Sequence, residues 1–273
     1  MKSSRWYRMK KQRIDDWLVE REYFETLDEA RRFIMAGKVL NEHERIHSGA
    51  EKINPAETKI RIKGLDKKYV SRGGLKLEKA IKEFNLKLKD RIHVDIGSST
   101  GGFTDCALQN GVSRSYAIDV GTNQLAYSLR IDPRVTVMEQ TNFRFVTAES
   151  FPELPDFASI DVSFISLSLI LPTLHTILKP GGEVVALIKP QFEAHREEVG
   201  DKGVVHDKGV HKRVVKEVMA CALKHHFSAE NLTVSPIKGA NGNIEYLIYL
   251  VHEEKPHAIE DALIEDITCK TAD

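Results

Sequence analysis

His93-Val94-Asp95-Ile96-Gly97-Ser98-Ser99-Thr100-Gly101-Gly102-Phe103-Thr104-Asp105 is the stretch on which the fold turns. A β-rich run ends in an acid, turns through small residues and glycines, and opens onto a helix-compatible segment at 103–110. This is the layout of a ligand loop in a doubly wound sheet, where glycine lets a ligand approach bare backbone. Spacing excludes two ligand classes. A phosphate-cradling loop ends in Gly-Lys-Ser/Thr, whereas Gly101-Gly102 runs into Phe103. A dinucleotide loop needs Gly-x-Gly-x-x-Gly, but Ser99 stands two residues after Gly97.

A ligand with a carboxylate and a ribose remains, and S-adenosylmethionine (SAM) answers to that description. Free N–H groups at a helix start can take its methionine carboxylate. An acid at the end of the next strand can take ribose hydroxyls, and Asp119, closing Ser115-Tyr116-Ala117-Ile118-Asp119, stands 24 residues after Asp95. The competing reading, a strand-turn-helix whose glycines serve packing alone, does not account for Asp119.

Outward from this loop, strands and helices alternate. Apolar runs predict strands at 91–96, 115–120, 135–139, 158–164 and 182–189, and helices from 103 and at 123–129, 166–178 and 207–225. Closing strands at 232–236 and 244–251 read as a hairpin through Gly239-Ala240-Asn241-Gly242. Repeated strand-helix units predict an α/β fold: a doubly wound, mostly parallel, seven-stranded sheet, with the hairpin making an edge strand antiparallel. Ahead of it, Ser71-Arg72-Gly73-Gly74 leads a helix with Leu77, Ala80, Ile81 and Phe84 on its core stripe, Lys76 at the edge of that stripe and Lys79 pointing away. The expected organisation is an N-terminal unit at 1–63, a polar linker at 64–70, the sheet domain at 71–252 and an acidic tail at 253–273.

The composition, 41% hydrophobic and 29% charged, fits a packed globular chain and excludes wholesale disorder. Net charge is zero but uneven: residues 1–68 carry 17 Lys+Arg against 12 Asp+Glu, which suits an anionic partner met by one module. Cys106, Cys221 and Cys269 form no Cys-x-x-Cys, so reduced thiols in a cytoplasmic protein are expected and a zinc site is not. The histidine pairs 43/47, 206/211 and 225/226 lack partner ligands at metal-site spacing, and no metal is expected. Residues 1–12 are basic without an apolar stretch, and the longest apolar candidate, 165–178, is broken by Pro172, Thr173, His175 and Thr176, so no membrane span is expected.

In the N-terminal unit, Ile14, Trp17 and Leu18 share one helical stripe, and a second helix at 27–36 buries Ala30, Phe33 and Ile34 before Gly37 ends it. Segments 38–46 and 59–62 read as short strands. With Arg-Ile-Asp-x-x-Leu-Val and Ala-Arg-Arg-Phe-Ile-Met-Ala-Gly-Lys-Val, this order resembles the small α+β S4 RNA-binding domain. The resemblance implies RNA backbone contacts by Arg13, Arg31, Arg32 and Lys38. The sequence departs from that pattern at Thr26-Leu27 and Glu42-His43, which shifts part of the expected RNA contact to Arg5, Arg8, Lys10 and Lys11.

Ligands of such sheets collect beyond the carboxyl ends of the strands. There the chain offers Asp95, Asp119, Gln140-Thr141-Asn142, Asp161 and Lys189, and Glu245 interrupts the last strand. A lysine leaving the core beside carboxylates can serve as a proton acceptor, and it can equally be a lysine whose charge reaches water past a strand end. No Asn/Asp-Pro-Pro-Tyr/Phe motif for base-amine methylation is present, which favours a hydroxyl acceptor.

Together with the S4-like unit, Tyr-Val-Ser-Arg-Gly-Gly-Leu-Lys-Leu, Val-Asp-Ile-Gly-Ser-Ser-Thr-Gly-Gly-Phe-Thr-Asp, Asp-Val-Ser-Phe-Ile-Ser-Leu, Lys-Pro-Gln-Phe-Glu and Gly-Asn-Ile-Glu resemble the TlyA family over nearly the whole chain. The resemblance implies a Rossmann-like, FtsJ-type methyltransferase sheet and SAM-dependent 2'-O-methylation of cytidine in ribosomal RNA. It places a catalytic Lys-Asp-Lys-Glu tetrad on Lys76, Asp161, Lys189 and Glu245. It places SAM contacts on Asp95, Gly97, Ser99, Gly101, Gly102, Phe103, Asp119 and Asn142. Ribosomal RNA or ribosomal subunits are the implied partner, with oligomeric state left open. Members of the family are also called haemolysins, so a membrane-active protein and a non-catalytic RNA-binding or assembly factor stand as alternative classes.

Overall fold

A computed structural model describes residues 11–21, 23–24, 26–55, 58–64 and 68–269. Arg5, Arg8 and Lys10 of the basic arm, and 65–67 of the expected linker, lie outside the described residues. The chain divides into two compact units, Met1–Arg72 and Gly73–Asp273.

The first unit comprises β1 (Gln12–Arg13), α1 (Ile14–Glu20), α2 (Leu27–Met35), β2 (Val39–Asn41), β3 (Glu44–Arg45), β4 (Lys52–Ile53) and β5 (Ile60–Ile62). Ile14, Trp17 and Leu18 of α1 close on Ala30 and Ile34 of α2 and on Val39, while Phe33 is half-buried against Phe24. Thr26 caps α2, accepting the Glu29 N–H at 3.2 Å, so this departure from the family pattern keeps the helix start. The strand expected at 38–46 is a hairpin: the chain turns at Glu42, whose φ is 55°, and β2 pairs with β3 and β5.

The second unit comprises α3 (Gly73–Glu83), β6 (Ile92–Ile96), α4 (Gly102–Gln109), β7 (Arg114–Ile118), α5 (Tyr127–Arg130), β8 (Val135–Met138), β9 (Phe157–Ile160), α6 (Leu171–Ile177), β10 (Glu183–Ile188), α7 (Pro190–Glu193), α8 (Lys208–Lys224), β11 (Phe227–Val234), β12 (Tyr246–His252) and α9 (Asp261–Cys269). The strands form the expected seven-stranded sheet in the order β11-β12-β10-β9-β6-β7-β8. Val94, Ile96, Ile118, Ile160, Val184, Ala186 and Ile188 fill its core with Leu171 and Leu174 of α6 and Val214, Val215 and Val218 of α8. Among the described residues no helix is long and apolar enough to cross a membrane.

Four details differ from the sequence expectations. The antiparallel strand, β12, is not at the edge: it lies between β10 and β11 and pairs antiparallel with both. The helix expected at 123–129 is only α5, because the Glu139 carboxylate accepts the N–H groups of Asn123, Gln124 and Leu125 at 2.9–3.3 Å and holds them in a turn. β9 stops at Ile160, and the chain folds back at Phe164, whose φ is 61°. Finally, the acidic tail contains α9, which packs on α8 and β11 with Ile264 fully buried and with Lys212–Glu265 and Lys216–Asp261 ion pairs of 2.8 and 2.6 Å.

Candidate active site

The antiparallel insertion of β12 is what assembles the site. Ile188 is opposite Tyr246 in the β10–β12 register, so the next pair outward along these strands is Lys189 and Glu245. On the other side of β10, Ala186 is level with Ile160, which puts Asp161 at the end of β9 beside Lys189. Lys76 comes from α3, which packs against α4 and β12.

These side chains form a row of alternating charge. Lys76 Nζ lies 2.9 Å from Glu245 Oε2 and 3.4 Å from Asp161 Oδ2, and Lys189 Nζ lies 2.6 Å from Asp161 Oδ1. Their side chains are 8, 3, 18 and 9% exposed for Lys76, Glu245, Asp161 and Lys189, so both charges of each sign are largely withdrawn from water. Burial pushes the Asp161 carboxyl upward, but Lys189 and Lys76 outweigh it and bring its pKa down to about 2. Removing any member leaves a partner charge uncompensated in a poorly solvated place, a loss of order 3–5 kcal/mol. All four tetrad positions named from the family motifs are thus together.

The loop from the end of β6 adjoins this row. Gly97, at φ 84°, abuts the end of β9: a Cβ there would stand 2.6 Å from the Asp161 carbonyl oxygen. Asp119 accepts the Ser99 N–H at 2.8 Å and the Gly121 N–H at 2.7 Å, and its carboxylate remains partly exposed at the end of β7. Asn142 accepts the Arg144 N–H at 3.2 Å and caps the turn after β8. Asp95 has a different place from the one the sequence suggested. It is fully buried and its oxygens accept from Thr104 N, Thr104 Oγ1 and Ser159 Oγ at 2.9, 2.7 and 2.9 Å. Instead of facing a ligand it braces the first turn of α4, and burial pushes its pKa up to about 6 against those hydrogen bonds.

Behind Asp95 the hydrogen bonds continue across three strands. Ser159 gives its hydrogen to Asp95, so the contact at 2.8 Å with His93 Nε2 requires the imidazole to donate there. His93 Nδ1, 2.9 Å from Ser115 Oγ, then accepts. The ring is fully buried, and burial brings its pKa down to about 3, which keeps it neutral.

Sequence reasoning missed four neighbours of the row. Ser163 Oγ accepts from Lys189 Nζ at 3.0 Å. Gly239 leaves room for the Glu245 carboxylate, because a Cβ there would stand 2.1 Å from Oε1. Gln191 Nε2 approaches the same oxygen at 3.5 Å. Phe164 is 89% exposed in a left-handed conformation and packs on Phe192 with ring centroids 4.9 Å apart. The motifs Asp-Val-Ser-Phe and Lys-Pro-Gln-Phe-Glu held three of them, but nothing in one-dimensional spacing says that Ser163 turns back to Lys189.

In the first unit, Arg13 and Arg31 converge on the buried Asp15 carboxylate at 2.8 and 2.9 Å, while Arg32 is exposed and Lys38 lies over the Phe33 ring at 5.1 Å. Both arginine side chains are still more than two-fifths exposed, at 43 and 45%. Among the described residues, the one cluster with metal-ligand composition is Glu230, Glu253 and His257, whose imidazole nitrogens each face a carboxylate at 3.2 Å.

A profile of FtsJ-like methyltransferases matches residues 69–252, two thirds of the chain. The chain belongs to the FtsJ-like methyltransferase family. YqxC of Bacillus subtilis (strain 168), provisionally named an rRNA methyltransferase, is 55% identical over 88% of this chain and 86% of its own length. A 16S/23S rRNA (cytidine-2'-O)-methyltransferase, TlyA of Mycobacterium tuberculosis (strain CDC 1551 / Oshkosh), is 37% identical over 87% of this chain and 89% of its own. The solved structure of a Streptococcus thermophilus protein provisionally named a haemolysin superposes with a TM-score of 0.83 at 49% identity, covering 96% of both chains. The enzyme is a methyltransferase whose methyl donor is SAM.

The residues present suit that cofactor. Thr104 N–H is taken by Asp95, whereas the Gly102 and Phe103 N–H groups at the start of α4 have no acceptor among the described residues. Such groups attract a carboxylate. Asp119 retains acceptor capacity beyond its two backbone donors, as ribose hydroxyls require.

Proposed function

We propose that the enzyme methylates the 2'-hydroxyl of a cytidine in ribosomal RNA in the cytoplasm, with Lys76, Asp161, Lys189 and Glu245 as its catalytic tetrad. The observation that carries this reading is the alternating row Glu245–Lys76–Asp161–Lys189 beside the Gly97–Gly101 loop. SAM supplies an electrophilic methyl group on a sulfonium. Lys189, at the open end of the row, takes or orients the 2'-hydroxyl proton through the lone pair of its neutral amine, while Asp161 and Glu245 hold Lys189 and Lys76 in line. Alignment of the hydroxyl with the methyl group is the principal source of rate, an effect worth up to ~7–11 kcal/mol.

A ribose reaches such a site most readily when its nucleotide leaves the stack. Phe164, exposed and held on Phe192, provides an aromatic face beside Lys189 on which an extruded base can rest. Arg13, Arg31, Arg32 and Lys38 supply RNA backbone contacts in the first unit; Asp15 neutralises part of the Arg13–Arg31 charge, so Arg32 and Lys38 carry more of it.

The deciding experiment is transfer of tritiated methyl from SAM to each ribosomal subunit and to protein-free rRNA, followed by mapping of the labelled nucleotide. A 2'-O-methylcytidine is expected. Label on a base nitrogen or carbon, or no label on any RNA, would overturn the proposal.

A further inference from the structure

Lys189 is held by two oxygens from one loop. The segment leaving β9 gives Asp161 Oδ1 at 2.6 Å and, two residues on, Ser163 Oγ at 3.0 Å. An ammonium group has three N–H donors. Asp161 and Ser163 take two, and among the described residues no acceptor takes the third; the centroid of the Phe192 ring is 5.8 Å from Nζ. Asp161 alone would leave Nζ free to swing on an arc about the carboxylate, which it shares with Lys76. The hydroxyl of Ser163 gives a second fixed point and so determines where the third N–H points.

The local backbone is shaped for this contact. Phe164, the next residue, has φ 61°, an unfavourable conformation for an aromatic residue, and it turns the chain so that Ser163 faces back toward β10. Ser163 is exposed, and its only side-chain hydrogen bond among the described residues is the one to Lys189. An exposed serine with no other partner adds little to folding, so the contact is explained by what it does to Lys189.

We infer that Ser163 is a positioning residue for methyl transfer, fixing Lys189 Nζ so that the position of its third proton, a lone pair once that proton has left, faces the acceptor hydroxyl. The inference rests on the proposed role of Lys189. Ser163 itself exchanges no proton with the acceptor, and no bond to it forms or breaks.

The test compares wild type, Ser163→Ala and Ser163→Thr in single-turnover methylation of protein-free rRNA and isolated ribosomal subunits lacking the modification, with SAM affinity by titration calorimetry and thermal unfolding as a control. Ser163→Ala should lower the rate at saturating SAM and RNA about tenfold, the scale of one hydrogen bond to a charged group, with SAM affinity, RNA KM and Tm unchanged. Ser163→Thr, which keeps the hydroxyl, should recover most of the rate. An active wild type with Ser163→Ala within twofold of it, or a loss expressed in SAM affinity or RNA KM instead, or no recovery in a stable Ser163→Thr, would overturn the role of Ser163 alone. A wild type that methylates no RNA would overturn the functional reading with it.

Discussion

Gly239→Ala isolates the position of Glu245 from everything else in the site. Gly239 has φ −73° and ψ −171°, an extended conformation that alanine adopts freely, so the substitution strains no backbone. Its new methyl would lie 2.1 Å from Glu245 Oε1, 2.7 Å from Cδ and 3.3 Å from Cγ. Ordinary contact requires the carboxylate to retreat by about 1 Å, which stretches the 2.9 Å Lys76–Glu245 pair to about 4 Å. At an effective dielectric of about 20 the attraction weakens by about 1.5 kcal/mol. The end of a flexible side chain moves without unfolding its surroundings, so Tm should fall by only about 3–6 °C. The Glu245–Lys76–Asp161 row loses its fixed end, however, and a displacement of this size at a reacting centre costs up to about 100-fold in rate. Methyl transfer to rRNA should fall about 10- to 100-fold in kcat, with SAM affinity by calorimetry within twofold, because the Gly97–Gly101 loop is not touched. Wild-type turnover in this variant would show that the 235–245 loop yields instead of Glu245, and would refute the claim that Glu245 must stand where it does.

Lys189→Ala should abolish methyl transfer and leave SAM binding intact; residual turnover within tenfold of wild type would remove Lys189 from the mechanism. Phe164→Ala should relieve the left-handed strain only partly and raise the RNA KM or lower kcat by about tenfold, the worth of one base stacked on an aromatic face, while SAM affinity holds. An unchanged rate profile would mean that the base rests elsewhere. On acidification, Asp161, lowered from 3.8 to about 2, contributes stability that is present above pH 4 and is lost as pH falls toward 2. The loss is roughly 2 kcal/mol at pH 2 and would be read from urea midpoints. Asp161→Asn should lack that part of the slope, and parallel slopes in the two proteins would contradict the assignment. Between pH 6.5 and 4.5, neutral His93 and raised Asp95 act in opposite directions. Folding loses stability as unfolded His93 takes a proton, and gains it as Asp95 does so in the folded state. Their combined effect should leave the urea midpoint nearly level over that window, with Asp95→Asn exposing a decline.

The sheet was legible because its strands are continuous apolar runs, such as Val184-Val185-Ala186-Leu187-Ile188, which only a parallel sheet covered on both faces can bury. Polar residues that break or end such runs were legible for the same reason: Lys189, Asp161 and Glu245 are conspicuous against their neighbours. Lys76 was not. A lysine at the edge of a helical stripe is ordinary, and only the family motif distinguished it from Lys79, which donates instead to the Val234 carbonyl. The helix in the acidic tail was not legible because acids dominate its composition, although Ile264, Ile267 and Thr268 share a helical face that packs against the unit.

Strand order was the feature that sequence could not supply, and the site depends on it. A hairpin appended at the edge of the sheet would have set β11 against β10 and moved Glu245 outward by one interstrand spacing, about 4.8 Å. Lys76, already 2.9 Å from Glu245 and 3.4 Å from Asp161, could not then bridge the two. Insertion of β12 between β10 and β11 brings Glu245 level with Lys189 and allows one lysine to span both carboxylates. The antiparallel strand therefore has a chemical consequence. It delivers an acid to the carboxyl end of a parallel sheet from a strand running the other way, at the start of that strand, where the 235–245 loop and Gly239 can set its position to within an ångström.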